Sequence, residues 1–252
     1  MPTWNTDQYL KFEGERTRPC RDLVAAIAVS SVRRIIDLGC GPGNSTRVLS
    51  ERWPNAEATG VDNAASMIDV ARREQPEHRW ILREITDWAA NAREQYDVVF
   101  ANASLQWVEN HAWLYPKLLE RAAPGGVLAV QTPANFDAFP HRLMRDLAPP
   151  GVHVTEWHAH EPSFYYNILA PHAERLDIWE TEYQHVMASA DAIVEWYKGT
   201  GLRPFLEAIE GESERQRFLA EYTQRIRAEY LPQPEWERAF PIPAALCGRV
   251  CK

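Results

Sequence analysis

Apolar and polar positions fall into alternating blocks along the first half of the chain. Short β-branched runs such as RIIDL predict buried strands, and the amphipathic segments that follow them predict helices. The predicted strands are 33–38, 56–62, 79–85, 96–104 and 126–133, and the predicted helices between them are 44–53, 64–75 and 112–122. Strands and helices that alternate at this spacing indicate a parallel sheet with right-handed crossovers. The expected fold class is therefore α/β, with a doubly wound and mostly parallel sheet.

The regular alternation ends after Pro133. A helix is predicted at 140–148, a strand at 175–187 and a long helical block at 188–231, and a last apolar run at 245–251 can close the sheet as a seventh strand. The helical block therefore stands between the final two strands. An insertion there is well placed to cover the carboxyl ends of the strands, where open α/β sheets bind their ligands.

Composition places the chain among ordinary globular proteins. Of its 252 residues, 45% are hydrophobic and 25% are charged, which suits one α/β domain with an insertion. No apolar run is long enough to cross a bilayer, and the first residues lack the basic and apolar regions of a signal peptide. The four cysteines form neither a CxxC pair nor a zinc-ligand spacing, which is typical of reduced thiols. We therefore expect a cytoplasmic location without a membrane partner.

The net charge of −8 narrows the choice of partners. A broad nucleic-acid surface would need a basic face, so no nucleic-acid partner is expected. An anionic substrate would require arginines concentrated locally against the overall field. The histidines show no metal-ligand pattern and are expected to be surface or packing residues (His111, His141, His158 and His160). We expect no metal, and no obligatory protein partner is evident.

The glycine-rich segment GCGPG at 39–43 joins the first predicted strand to a helix. Alone, it is equally typical of an ordinary tight turn. Its G-x-G-x-G spacing differs from the dinucleotide G-x-G-x-x-G, and Asp37 before it would repel a pyrophosphate but suit a cation. Asp62 follows about 20 residues later, an offset at which a carboxylate accepts hydrogen bonds from ribose hydroxyls. Together these features describe a cofactor with a ribose, a cationic amino-acid tail and no phosphate, as in S-adenosylmethionine.

On these motifs the chain resembles the class I S-adenosylmethionine-dependent methyltransferases. DLGCGPG, GVD, REITDW and FANASLQW match that family's motifs in order between about residue 30 and residue 133. The resemblance implies a seven-stranded Rossmann-like sheet with a helical lid. It also implies that Asp37, Gly39 and Gly41 hold the methionine end of the cofactor and that Asp62 holds the ribose.

The same resemblance implies the contacts of the adenine. Asn63 and Met67 would flank its ring, and Glu84 and Ile85 would contact its edge, although the family often has Asp at the position of Glu84. Two further residues are expected to contact the cofactor on other grounds. Tyr9 shares a predicted helical face with Phe12 and could lie over the cofactor, or could fix this helix to the domain. Asn102 ends the fourth predicted strand, although its side chain could instead satisfy loop backbone.

Three unusual strings in separate regions resemble a narrower family. WNTDQYLKFEGERTRPCRDLV, ANASLQWVENH and WYKGTGLRPFL are similar to segments of the trans-aconitate 2-methyltransferases. The resemblance is weakest between about 146 and 166. It implies transfer of a methyl group to a carboxylate of trans-aconitate, which gives a monomethyl ester and S-adenosylhomocysteine.

A tricarboxylate substrate needs cations, and arginine binds carboxylates bidentately. The candidates for substrate positioning are Arg16, Arg18 and Arg203, with Trp107 beside the transfer point. A solvated surface role is an equally good explanation for a single arginine. Arg203 stands between a Gly-Thr-Gly turn and a proline, where helix propensity gives no reason for arginine, so a functional role is favoured there.

One domain is expected over residues 1–252. Within it we expect N-terminal lid helices at 1–30, a cofactor-binding core at 31–135, the remaining sheet at 136–187 and 240–252, and a helical insertion over the active site at 188–239. Two alternatives stay open: a methyltransferase that acts on another acid, amine or carbon acceptor, and a protein that binds S-adenosylmethionine without turnover. A nicotinamide dehydrogenase is opposed by the glycine spacing and by Asp37.

Overall fold

The computed structural model describes residues 13–152, 154, 157–231 and 239–251. The strands are β1 (Arg34–Leu38), β2 (Glu57–Asp62), β3 (Arg79–Leu82), β4 (Tyr96–Asn102), β5 (Ala122–Pro133), β6 (Arg175–Val186) and β7 (Ala239–Cys251). The helices are α1 (Glu13–Ala26), α2 (Asn44–Arg52), α3 (Ala65–Glu74), α4 (Ile85–Asn91), α5 (His111–Glu120), α6 (Phe139–Leu147), α7 (Pro162–Leu169), α8 (Ala190–Lys198), α9 (Leu202–Ala208) and α10 (Glu212–Glu229). Short 3-10 turns lie at Leu105–Trp107 and Ala170–His172.

The strands of the described residues form one sheet in the order β3-β2-β1-β4-β5-β7-β6. The first five run parallel, and β7 pairs antiparallel with both β5 and β6. The prediction of an α/β fold around a Rossmann-like parallel sheet is confirmed. The chain order reverses between β1 and β4, and ligands of such sheets bind at the carboxyl ends beside this switch point.

The two faces of β1 are buried against different helices, as parallel sheets require. Ile36 and Leu38 pack in a cluster that includes residues of α4 and α5, whereas Ile35 packs in a cluster that includes residues of α1 and α2. All three side chains are fully buried. The central strand is therefore held from both sides, and the loop that follows it starts from a rigid position.

Four of the helices that precede or follow β6 in the chain share a core of their own. Leu143 and Met144 of α6 pack with Tyr197 of α8, Phe205 of α9 and Tyr222 of α10. The Ser189 hydroxyl caps α8 by accepting a hydrogen bond from the backbone amide of Ala192. This second core holds α9 in place, and α9 carries Arg203.

Two helices were not predicted. The strand expected at 79–85 ends at Leu82, because α4 begins directly after Glu84 and buries Ile85 and Trp88. Helix α7 begins in the stretch with the weakest resemblance, and there Tyr165 is buried and Tyr166 is exposed. Among the described residues, no helix is both long enough and apolar enough to span a membrane.

Candidate functional site

A cavity of about 380 Å³, here called the main cavity, opens at the carboxyl ends of β1, β2, β3 and β4. Its wall brings together ten of the residues predicted from sequence: Gly39, Gly41, Asp62, Asn63, Met67, Glu84, Ile85, Asn102, Trp107 and Arg203. The remaining lining residues among those described are Thr17, Cys20, Cys40, Pro42, Asn44, Ser45, Ala103, Ser104, Val108, Pro204 and Glu207. Residues distant in sequence therefore meet in one place, which is the placement that the predicted cofactor site requires.

The glycine loop follows β1 with a backbone that few other residues tolerate. Gly39, Gly41 and Gly43 have φ values of +72°, +54° and +96°. A Cβ atom on Gly39 would lie 2.2 Å from the Cβ of Ser104, whereas a Cβ atom on Gly41 would have no heavy atom within 4 Å. Gly39 is thus required by packing, and Gly41 leaves its backbone open to a ligand.

Asp37 lies directly beneath this loop rather than in the cavity wall. Its side chain is fully buried, and its Oδ2 accepts hydrogen bonds of 2.6 Å from the hydroxyls of Ser45 and Thr46. Its Oδ1 has no hydrogen-bond partner among the described residues. Burial raises the pKa of Asp37 to about 6, although the two hydroxyls oppose the shift. A cation beside this buried carboxyl group would stabilise its ionised form, so the position of Asp37 favours a cationic neighbour.

Asp62 ends β2 and connects the glycine loop to α3. Its Oδ2 accepts a hydrogen bond from the amide of Gly41 and its Oδ1 accepts one from the amide of Ala64, both at 2.9 Å. Burial raises the pKa of this carboxyl group. Each carboxylate oxygen has a second lone pair, so Asp62 can still accept hydrogen bonds from a diol in the cavity.

Asn63 and Glu84 face each other across the ends of β2 and β3. The Asn63 amide nitrogen donates to both oxygens of Glu84, at 3.0 and 3.1 Å. This contact fixes the Glu84 carboxylate beside Ile85 and Met67 in the cavity wall. Met67 and Ile85 thus form an apolar surface with the Glu84 carboxylate as a hydrogen-bond acceptor at its edge. This arrangement suits a flat heterocycle that carries an amino group.

The loop after β4 forms the opposite wall. Ala103 has a φ of +51°, which is unusual for a residue with a Cβ atom, and Ser104 donates a 2.7 Å hydrogen bond to the carbonyl of Leu38. The Oδ1 of Asn102 is buried without a hydrogen-bond partner among the described residues. Trp107 follows in the short 3-10 turn. This wall therefore offers an unpaired acceptor and a large aromatic surface.

Arg203 is the cation among the described residues that line the main cavity. It lies near the start of α9 with its side chain 16% exposed, and its Nη1 is 3.7 Å from Oε1 of Glu207. Burial lowers the pKa of Arg203, while Glu207 acts in the opposite direction. Because burial disfavours the charged form of Arg203, a carboxylate bound in the cavity would stabilise that charge.

Four of the predicted residues are not seen in the wall of the main cavity, and the first of them is Asp37, which lies beneath the glycine loop. Arg18 is exposed, its guanidinium carbon lies 5.2 Å from the ring centre of Tyr183, and it is not among the lining residues. The substrate role expected for Arg18 is therefore not supported by its position. Helix α1 includes Arg16, but the side chain of Arg16 and all of Tyr9 lie outside the described residues.

Sequence reasoning missed several lining residues. Thr17 and Cys20 come from α1, Ser45 follows the glycine loop, and Ser104 lies within the FANASLQW segment. Ser45 follows the glycine loop at the start of a helix, a signal that could have been used. The Cys20 and Cys40 thiols are buried, and burial raises the pKa of each. In the part of the chain that the structure describes, no group of three metal-ligating side chains is found.

Comparison with known proteins agrees with this geometry. A family model described as "Methyltransferase domain" matches residues 12–205. The trans-aconitate 2-methyltransferase of Azoarcus sp. (strain BH72) is 47% identical over 248 residues, which cover 96% of this chain and 97% of the relative. That of Rhodopseudomonas palustris (strain BisA53) is 49% identical over 251 residues, with coverage of 96% and 97%.

A solved structure shares the fold at low identity. The plantazolicin methyltransferase BpumL, in complex with a pentazolic desmethylPZN analog and SAH, has a TM-score of 0.56 and 17% identity over 98% of this chain and 89% of that one. The fold, the cavity at the switch point and the family match define a methyltransferase. The chain belongs, by identity over nearly its whole length, to the trans-aconitate 2-methyltransferase family.

Proposed function

We propose that this protein transfers the methyl group of S-adenosylmethionine to a carboxylate of trans-aconitate. The observation that carries the proposal is the main cavity, where the glycine loop, Asp62 and Glu84 adjoin Arg203. The first three form a pocket for a nucleoside with a cationic tail. Arg203 supplies the cation that an acid needs beside it.

The residues present fit S-adenosylmethionine better than a nucleotide. Asp37 Oδ1 and Asn102 Oδ1 are buried acceptors without partners among the described residues, and the Gly41 backbone is open to the cavity. Unpaired acceptors favour a ligand that brings hydrogen-bond donors and positive charge, and they disfavour phosphate. Asp62 would hold the ribose hydroxyls. Asn63, Met67, Glu84 and Ile85 would enclose the adenine.

The acceptor needs little chemical activation. When bound, the cofactor supplies a methyl group on a sulfonium leaving group. A carboxylic acid with a pKa of about 4 is already ionised at neutral pH, so no general base is required. The protein must orient the acceptor oxygen in line with the methyl group and exclude water, because hydration weakens a carboxylate nucleophile. Trp107 and Val108 line the cavity where such shielding is needed.

The domain arrangement follows from the same proposal. Residues 31–135 would form the cofactor-binding core, and residues 136–187 and 240–252 would complete a seven-stranded sheet. Helix α1, within the proposed N-terminal lid at 1–30, contributes Thr17 and Cys20 to the main cavity. Arg203, Pro204 and Glu207 reach it from the proposed insertion at 188–239. Both segments would cover the reacting groups. A cytoplasmic location and the absence of an obligatory protein or nucleic-acid partner stay predictions.

The decisive test is a product assay with both substrates. The purified protein, S-adenosylmethionine and trans-aconitate should give a monomethyl ester and S-adenosylhomocysteine in equal amounts, measured by mass spectrometry. Neutral amides of the same acid should not react. Equal rates on neutral acceptors would contradict the carboxylate assignment, and tight cofactor binding without product on any acid would indicate a sensor instead.

A further inference from the structure

A second cavity, of about 200 Å³ and here called the side cavity, adjoins the main cavity. Trp107 and Pro204 line both cavities. Most of the remaining described wall is apolar or aromatic and includes Val152, Val154 and Trp157, which come from the stretch where sequence resemblance is weakest. A ligand in the main cavity that extends past Trp107 would therefore enter a poorly hydrated space.

Arg145 of α6 is the permanently charged residue among the described residues of the side cavity. Its guanidinium carbon lies 3.9 Å from the ring centre of Phe136, and its Nη1 donates a 2.8 Å hydrogen bond to the Phe136 carbonyl. Stacking and hydrogen bonding together hold the guanidinium plane in place. Since these contacts use few of its five N–H donors, the group can still bind a carboxylate.

The charge balance differs between the two cavities. The main cavity has Asp62, Glu84 and Glu207 in its wall, whereas no carboxylate is among the described lining residues of the side cavity. The carboxylate that contacts Arg145 belongs to Asp137, and its Oδ1 lies 3.3 Å from Nη2 of Arg145. Because the Asp137 side chain is 89% exposed, this is a surface ion pair, and such pairs are weak. The side cavity is thus the part of the site where an anion meets positive charge without acidic neighbours in the described wall.

The other titratable residue in the described wall of the side cavity is His141, also on α6. Burial and the nearby Arg145 lower the pKa of His141 to about 4, so its ring is neutral at pH 7. A Cβ atom on Gly201 would lie 2.7 Å from Cε1 of His141. The second glycine of the Gly-Thr-Gly turn therefore lets α6 approach the start of α9, and this approach brings the helices of Arg145 and Arg203 together.

We infer that Arg145 binds a second carboxylate of the acid substrate, one that is not methylated, and that the side cavity thereby selects polycarboxylates over monocarboxylates. The inference rests on the proposed function. Arg203 then holds the substrate near the transfer point, while Arg145 fixes its far end. Because the contact is shielded by apolar walls, the paired charges interact more strongly than they would at the surface.

The test compares Arg145→Gln with Arg142→Gln, a matched control on the same helix. Like Arg145, Arg142 donates a hydrogen bond to a backbone carbonyl before α6, in its case that of Asp137. Arg142 is exposed, however, and is not among the residues that line the side cavity. KM is measured for trans-aconitate, and Kd is measured by calorimetry for trans-aconitate and for mesaconate, itaconate and glutaconate. These dicarboxylates each lack a different carboxylate of the parent acid, and because one of them lacks the methyl acceptor, the four acids are compared by Kd. Calorimetric binding of trans-aconitate with S-adenosylhomocysteine present gives a readout that is independent of turnover.

Arg145→Gln should raise KM and Kd for trans-aconitate by about 10–100-fold. It should leave Kd unchanged for the one dicarboxylate that lacks the carboxylate bound by Arg145, and Arg142→Gln should match the wild type throughout. An equal rise for all four acids, or no difference between the two variants, would overturn the inference. If Arg145→Gln does not fold, Arg145→Lys should show the same pattern with a smaller change.

Failure of the inference can be told apart from failure of the proposed function. Wild-type protein that methylates trans-aconitate while Arg145→Gln behaves like Arg142→Gln would overturn only the role of Arg145. Wild-type protein that methylates none of the four acids would overturn the proposed function and, with it, the substrate subsite. An unchanged Kd for the cofactor in Arg145→Gln is expected in the first case and checks that the variant is folded.

Discussion

The backbone of Gly39 lies against the side chain of Ser104, so that a Cβ atom on the glycine would be 2.2 Å from the Cβ of Ser104. Ser104 is itself fixed by its hydrogen bond to the Leu38 carbonyl. Gly39→Ala therefore combines a left-handed backbone with a clash against a rigid neighbour. We expect it to lower the free energy of unfolding by roughly 2–5 kcal/mol, measured by denaturant titration.

Gly41→Ala is the natural comparison, because its φ is also positive but its Cβ atom would point into open space. It should cost only about 1–2 kcal/mol of stability. Its main effect should be weaker cofactor binding, since the added methyl group enters the main cavity. Equal losses of stability in the two variants would contradict the claim that packing requires glycine at position 39 but not at position 41.

The sequence predicted the cofactor side of the site better than the substrate side. Asp62 ends a strand with a clear hydrophobic pattern and Gly41 follows another, and the sheet brings strand ends together whatever the details of packing. Helix α4 was missed because it has only seven residues, too few to show a helical period beside Glu84. The position of Arg18 could not be predicted, because its contact with Tyr183 joins elements distant in sequence. The side cavity was missed for the same reason.

Asp62 should be essential for cofactor affinity and of moderate importance for stability. Asp62→Asn retains one acceptor oxygen for the amides of Gly41 and Ala64 but loses the charge and the second acceptor. We expect the Kd of S-adenosylhomocysteine to rise by about 10–100-fold, measured by calorimetry. The rise should be smaller for a 2′-deoxy analogue, because the lost contact is to the ribose. Asp87→Asn, which removes an exposed acid on α4, should have no effect.

Cofactor affinity should depend on pH through Asp37. Because the pKa of Asp37 is raised from 3.8 to about 6 in the folded protein, its contribution to stability is present in full below about pH 4 and is lost as pH rises through 6. A bound cation favours the ionised carboxylate, so binding of S-adenosylmethionine should release a proton near pH 5–6. Its affinity should fall by up to about tenfold between pH 6 and pH 5.

The proton release is measured by calorimetry in buffers that differ in ionisation enthalpy. Asp37→Asn should remove this pH dependence while the variant still binds the cofactor more weakly than wild type at pH 7. Asp62 also has a raised pKa, so a remaining slope in Asp37→Asn would be assigned to Asp62. An unchanged slope in that variant would refute the role given to Asp37.

Arg203 should govern the affinity for the acid and not for the cofactor. Its side chain is 16% exposed in the main cavity, and burial lowers its pKa, so a substrate carboxylate would stabilise its charge. Arg203→Ala should raise KM for trans-aconitate by about 10–100-fold, and Arg203→Lys should restore only part of the loss, because a lysine ammonium lacks the planar fork. The Kd of S-adenosylhomocysteine should change little in either variant. Arg225→Ala, which breaks an exposed pair with Glu221 on α10, is the matched control and should keep the wild-type KM. If Arg203→Ala lowers only the melting temperature, the arginine is structural and the acid is held by other groups.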